Sequence, residues 1–66
     1  MTVKEFKIQY ALGTISYEDK IDIVYTTTSK EILTILSRDK EWIIRDGVTM
    51  NKNTPKKVLN KVKKTL

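Results

Sequence analysis

Apolar and polar residues alternate twice within the first 25 positions, and this pattern constrains the fold more than any other feature of the chain. Phe6, Ile8 and Tyr10 stand on one side of residues 3–10, with Glu5, Lys7 and Gln9 on the other. Ile21, Ile23 and Tyr25 repeat the arrangement against Lys20, Asp22, Val24 and Thr26. A period of two belongs to a half-buried strand. If the two strands pair antiparallel, Phe6 faces Tyr25, Ile8 faces Ile23 and Tyr10 faces Ile21. A slip of one residue would destroy that register. Residues 12–18 then form the connection, with Gly13 available for a bulge or a positive φ.

Helical periodicity takes over next. Thr28 and Glu31 have the spacing of a capping box, and Ile32, Leu33, Ile35 and Leu36 follow as an apolar stripe. The pattern predicts a short helix over residues 29–38. Residues 41–45 are β-prone, and Asp46-Gly47 is the dipeptide of a two-residue hairpin turn. With 48–50 as the return strand, Ile43, Val48 and Met50 share one face, while Trp42 and Ile44 point to the other. Asn51-Lys52-Asn53 reads as bare loop. Thr54 followed by Pro55 marks a helix start, and the helix predicted over residues 55–66 is two-faced. Val58, Leu59, Val62 and Leu66 form its apolar arc. Lys57, Lys61 and Lys64 lie opposite, with Lys56 and Lys63 at one edge.

The expected architecture is a single α+β domain spanning residues 1–66 in the order ββαββα. A four-stranded, mainly antiparallel sheet is packed by the 29–38 helix and by the basic, amphipathic C-terminal helix. A 66-residue chain lies near the lower size limit for independent folding. Self-association into a homodimer would add stability.

Several functions are poorly served by these residues. The chain has no cysteine and no histidine. That removes disulfides, Cys/His zinc sites and thiol or imidazole catalysis. Carboxylates alone would have to supply acid–base chemistry, and Glu18-Asp19 and Asp39/Glu41 fall in polar turns where solvent keeps them ordinary. Ser16, Ser29 and Ser37 have no base to activate them. Neither a phosphate-binding glycine loop nor a calcium loop is present. The expectation is a non-enzymatic protein without metal or cofactor. With no signal-peptide core and no apolar run long enough for a bilayer, a cytoplasmic protein with no membrane partner is expected. The Lys/Ile/Thr/Asn-rich vocabulary points to a bacterial, phage or plasmid source.

Charge suggests the partner. Residues 1–46 carry seven basic and eight acidic side chains, whereas residues 47–66 carry six lysines and no acid. Such a step is a footprint for nucleic acid or another acidic surface. Lys52, Lys56, Lys57, Lys61, Lys63 and Lys64 are the candidate phosphate contacts to DNA or RNA. Trp42, Tyr17 and Tyr10 are candidate stacking platforms, though core packing is an alternative role for each. Both arginines lie outside the basic segment, so backbone contacts should dominate over base reading. The alternatives are a lysine face that serves only solubility, and a protein–protein module. The module would bind an acidic host protein through Trp42 and Ile44 of the second hairpin, or through a sheet edge.

Residues 29–36, read with Trp42-Ile43-Ile44, resemble the opening of the HicA-type mRNA-interferase toxins, a family of small double-stranded-RNA-binding-like folds. The resemblance implies a helix followed by a strand. The histidine on which those toxins depend is absent, and they do not begin with a hairpin, so no activity is carried across.

Overall fold

The first helix starts and stops on signals that lie across the alternating stretch. A computed structural model describes the backbone of residues 1–65 and the side chains of residues 1–62. In it, α1 spans Val3–Leu12. Thr2 accepts the Glu5 amide at 3.1 Å and the Glu5 carboxylate accepts the Thr2 amide at 3.3 Å. These reciprocal bonds satisfy two of the helix's free donors. At the other end Gly13 takes φ 72°. The Thr14 amide then reaches the Gln9 carbonyl at 3.0 Å and the Gly13 amide reaches Tyr10 at 3.1 Å. That is a Schellman closure, and it needs the left-handed backbone a glycine adopts freely.

Four further helices follow: α2 (Tyr17–Thr26), α3 (Lys30–Leu36), α4 (Trp42–Met50) and α5 (Lys56–Thr65). No strand occurs among the described residues. The α+β class, the ββαββα order and the four-stranded antiparallel sheet are therefore overturned in favour of an all-helical fold. Residues three and four apart account for this. On α1 the inward set is Val3, Phe6 and Tyr10, leaving Ile8 exposed. On α2 Val24 is fully buried, Ile21 and Ile23 are half-buried, and Tyr25 is exposed. Ser16 caps α2 by accepting the Asp19 amide at 3.1 Å, and Glu18 and Asp19 suit the positive end of its dipole.

The 29–38 helix is present as α3, and Ile32, Leu33 and Leu36 are buried on it. Its cap lies one residue later than expected: Ser29, not Thr28, accepts the Ile32 amide, at 3.2 Å. Asp46-Gly47 is no hairpin turn, because both residues lie inside α4. Gly47 is buried there with Ile44 and Val48, three and four residues apart on one face.

The 51–54 stretch is more than loop. The Asn51 amide group donates to the Val24 and Thr27 carbonyls, both at 2.9 Å, tying the end of α4 to the end of α2. The Thr54 hydroxyl donates to the Val48 carbonyl at 2.6 Å rather than capping the last helix. That helix begins one residue after Pro55, whose carbonyl accepts the Leu59 amide at 2.9 Å. It buries Val62, half-buries Val58 and Leu59, and exposes Lys56, Lys57 and Lys61. The expected two-faced character holds over these residues. Leu66 and the side chains of Lys63 and Lys64 lie outside the described residues.

One apolar cluster draws on every helix: Phe6, Val24, Ile32, Leu33, Leu36, Ile44, Val48 and Val62. In it α2 packs along α4, α4 along α5, and α3 touches both α1 and α4. The turn between α3 and α4 is left at the surface where α1, α2 and α5 approach it.

Candidate functional site

Asp39, in the turn between α3 and α4, is the polar centre of the molecule. It is 2% exposed, and every acceptor it offers is used. Oδ2 accepts the Tyr10 hydroxyl at 2.7 Å and the Lys20 ammonium at 3.0 Å. Oδ1 accepts the Glu41 amide at 2.8 Å, which sets the entry to α4 where Glu41 itself provides no side-chain cap. The Asp39 carbonyl accepts Arg45 Nη1 at 2.6 Å. Thus α1, α2 and α4 all converge on one residue of a turn.

The electrostatics follow from this geometry. Burial pushes the Asp39 carboxyl upward, but the hydrogen bonds from Tyr10, the Glu41 amide and Lys20 outweigh it and hold the group below its ordinary value. The Tyr10 phenol is pushed up, by burial first and then by its bond to the Asp39 carboxylate. Solvent does not keep Asp39 ordinary, contrary to the reading of its sequence position. It is a fixed anion, fully partnered, and it serves as structure.

Clefts open on both sides of this residue. One, of about 530 Å³, is lined by residues that include Tyr10, Gly13, Ile15, Tyr17, Lys20 and Asp39. The other, of about 470 Å³, lies against the start of α4 and the inner side of α5. Its lining includes Arg38, Lys40, Arg45 and Lys61, with Ser37, Asp39 and Val62. The only carboxylate among these lining residues is that of Asp39, already bound to Tyr10 and Lys20. Arg45 Nε is buried and has no hydrogen-bond partner among the described residues.

The six lysines proposed from charge are only partly gathered here. Lys61 lines the cleft; Lys52, Lys56 and Lys57 are exposed but do not line it. Lys63 and Lys64 fall outside the described side chains. The residues the sequence reading left out are Arg38, Lys40 and Arg45. They belong to residues 1–46, where eight acids outnumber seven bases, and folding alone brings them beside Lys61. The charge step at Asp46/Gly47 falls in the middle of α4 and marks no structural boundary.

The aromatic candidates separate cleanly. Trp42 is 63% exposed at the start of α4, and Tyr17 is also exposed. Tyr10 is half-buried, stacked on Phe6 at 5.5 Å between ring centroids, with its hydroxyl committed to Asp39. It is no platform. Ile44 is fully buried in the core and offers nothing to a surface partner. No helix among the described residues is long and apolar enough to cross a membrane.

Scans of protein-family models, curated proteins and solved structures each find no match to this chain. The likeness of residues 29–36 and 42–44 to the HicA-type toxins accordingly gains no support. The expected strand at Trp42-Ile43-Ile44 is the first turn of α4.

Proposed function

We propose that this protein is a non-enzymatic nucleic-acid-binding factor that holds phosphates on a basic surface formed by the α3–α4 turn and α5. The observation that carries the reading is the convergence of Arg38, Lys40, Arg45 and Lys61 on one cleft whose single carboxylate is already neutralised. Lys52, Lys56 and Lys57 extend the same charge along the C-terminal part of the chain. Cations without competing acids release counterions when they meet a polyanion, and this dominates affinity for nucleic acid. Exposed Trp42 adds an aromatic face near the turn that bears Arg38 and Lys40. The setting this reading implies is the cytoplasm, where DNA or RNA would be met directly.

Binding of labelled DNA and RNA, measured from low to raised salt, tests the proposal. The logarithm of affinity should fall linearly with the logarithm of salt concentration. Affinity that is absent at low salt, or indifferent to salt, overturns it.

A second reading, a protein-binding module, is supported by the exposure of Trp42 and Met50 at the two ends of α4, 63% and 70%. Exposed aromatic residues are frequent energetic anchors of interfaces. Affinity capture with and without nuclease separates the two. A partner retained after nuclease treatment and lost with Trp42→Ala favours the module.

A further inference from the structure

The cleft between the α3–α4 turn and α5 has features of a built anion site, beyond a simple accumulation of surface charge. Arg45 is fastened by Nη1 to the Asp39 carbonyl at 2.6 Å, so its position is set by the same turn that forms the cleft wall. Its Nε–H has no acceptor among the described residues. A buried donor without a partner, on a charged group, carries an uncompensated desolvation cost. An oxyanion held in the cleft that Arg45 lines would supply the missing acceptor. Arg38 and Lys40 flank Asp39 in sequence, and Lys61 joins the lining from α5. The donors thus come from the α3–α4 turn, α4 and α5, whereas a ridge would offer them from one helix. Planar guanidinium forks are the groups best suited to hold the paired oxygens of a phosphate.

We infer that this cleft seats one phosphate of a single-stranded nucleic acid, with Trp42 stacking on a neighbouring base. The inference rests on the nucleic-acid reading above and narrows it. The seat is concave, and a flexible strand bends a phosphate into a concavity where a duplex of roughly 150 base pairs' persistence length resists doing so. Trp42 lies three residues before Arg45 on α4, so the two side chains leave the helix on neighbouring positions one turn apart. Stacking on an aromatic face is open to unpaired bases only.

The test compares a labelled oligothymidylate with a duplex of equal length, using the intact protein at fixed salt and its only tryptophan as a fluorescence reporter. Single-strand affinity should exceed duplex affinity by about tenfold, with quenching of Trp42. Arg45→Lys keeps the charge but removes the fork, and should weaken oligothymidylate binding about tenfold. Lys40→Gln, at an exposed position that will not unfold the chain, should also weaken it and lower the salt slope by about one. Lys57→Gln, which leaves the cleft lining intact, should cost about threefold.

If Arg45→Lys and Lys40→Gln lose no more than Lys57→Gln while the wild type still binds, the cleft is not the seat, although the broader reading stands. Equal affinity for duplex and single strand overturns the single-strand assignment. A second arm titrates inorganic pyrophosphate while following the arginine side-chain N–H resonances. A saturable shift of the Arg45 Nε–H supports the seat even if no oligonucleotide binds, in which case only the nucleic-acid reading falls. No shift at Arg45 overturns the seat.

Discussion

A methyl group placed on Gly47 would lie 2.7 Å from Cγ1 of Val24 and 3.3 Å from its Cγ2. The glycine that the sequence offers as a hairpin turn is therefore a point of close approach between α4 and α2. Its lack of a side chain matters for space, not for backbone conformation. Val24 is fully buried and β-branched, so it has little freedom to swing aside.

Gly47→Ala should destabilise the protein even though alanine is favoured over glycine inside a helix by about 1 kcal/mol. Overpacking of a tight contact costs about 1–3 kcal/mol, and the net effect should be a loss seen as a lower urea midpoint. Val24→Ala in the same chain should recover part of that loss, giving a measurable coupling between the two sites. A Gly47→Ala variant more stable than wild type would show that α2 and α4 are not in close contact.

Asp39→Asn should cost about 3 kcal/mol, because Lys20, whose side chain is only 13% exposed, loses its counter-charge. The acid limb of stability carries the same signature. The folded carboxyl lies below its ordinary value of 3.8, so its contribution is whole above about pH 4. Below that the unfolded chain takes up the proton first, and the contribution fades as pH falls through the folded value. Urea melts from pH 6 down to 2 should show a steeper decline for wild type than for Asp39→Asn.

Tyr10 gives the opposite limb. Its phenol is raised above the ordinary 10.0, by burial and then by the Asp39 bond, so its contribution is complete below that value. Stability should decline as pH climbs beyond it, since the unfolded chain loses the proton first. Tyr10→Phe should remove this alkaline decline, which denaturant melts on both chains would reveal.

Asn51→Ala removes two bonds to carbonyls at the end of α2 and the one to the Asn53 amide. The Val24 carbonyl bond is buried, and its loss should contribute most of a destabilisation of about 1–3 kcal/mol. Hydrogen exchange should speed up most in residues 24–28 and 48–54. Uniform acceleration across the chain would argue instead for global unfolding alone.

Trp42→Ala should leave the melting midpoint nearly unchanged, within about 0.5 kcal/mol, because the ring is mostly in solvent. Its far-ultraviolet circular dichroism should keep the double minimum of a helical protein. A variant that fails to fold would mean that the ring is core.

Local chemistry was legible wherever one period fitted and the other did not. The stripe of Ile32, Leu33 and Leu36 has no strand reading, and the paired faces of α5 have none either. Both helices were therefore evident from residues alone, as was the concentration of lysine near the C-terminus. The first, second and fourth helices were not, for a geometric reason. Residues four apart share a face in both a strand and a helix. Phe6 with Tyr10 and Ile21 with Tyr25 thus satisfy either state, while the Asp46-Gly47 turn signal set Ile44 and Val48 on opposite faces of a hairpin where the helix puts them on one. The deciding positions are two and three residues away, where Val3, Val24 and Gly47 turn inward while Ile8 stays out. Thr2 with Glu5 and then Gly13 stood in the sequence as a helix start and stop, and were the signal that would have decided α1.

Other features depend on contacts that no local pattern contains. Asp39 becomes a buried, partnered anion because Tyr10 and Lys20 arrive from 29 and 19 residues away. Arg38, Lys40 and Arg45 meet Lys61 only because α5 folds back along α4. Residue types and their spacing determine which segments can coil and how much positive charge the chain carries. The packing of five short helices decides which charges face one another, since burial and proximity are properties of the folded chain.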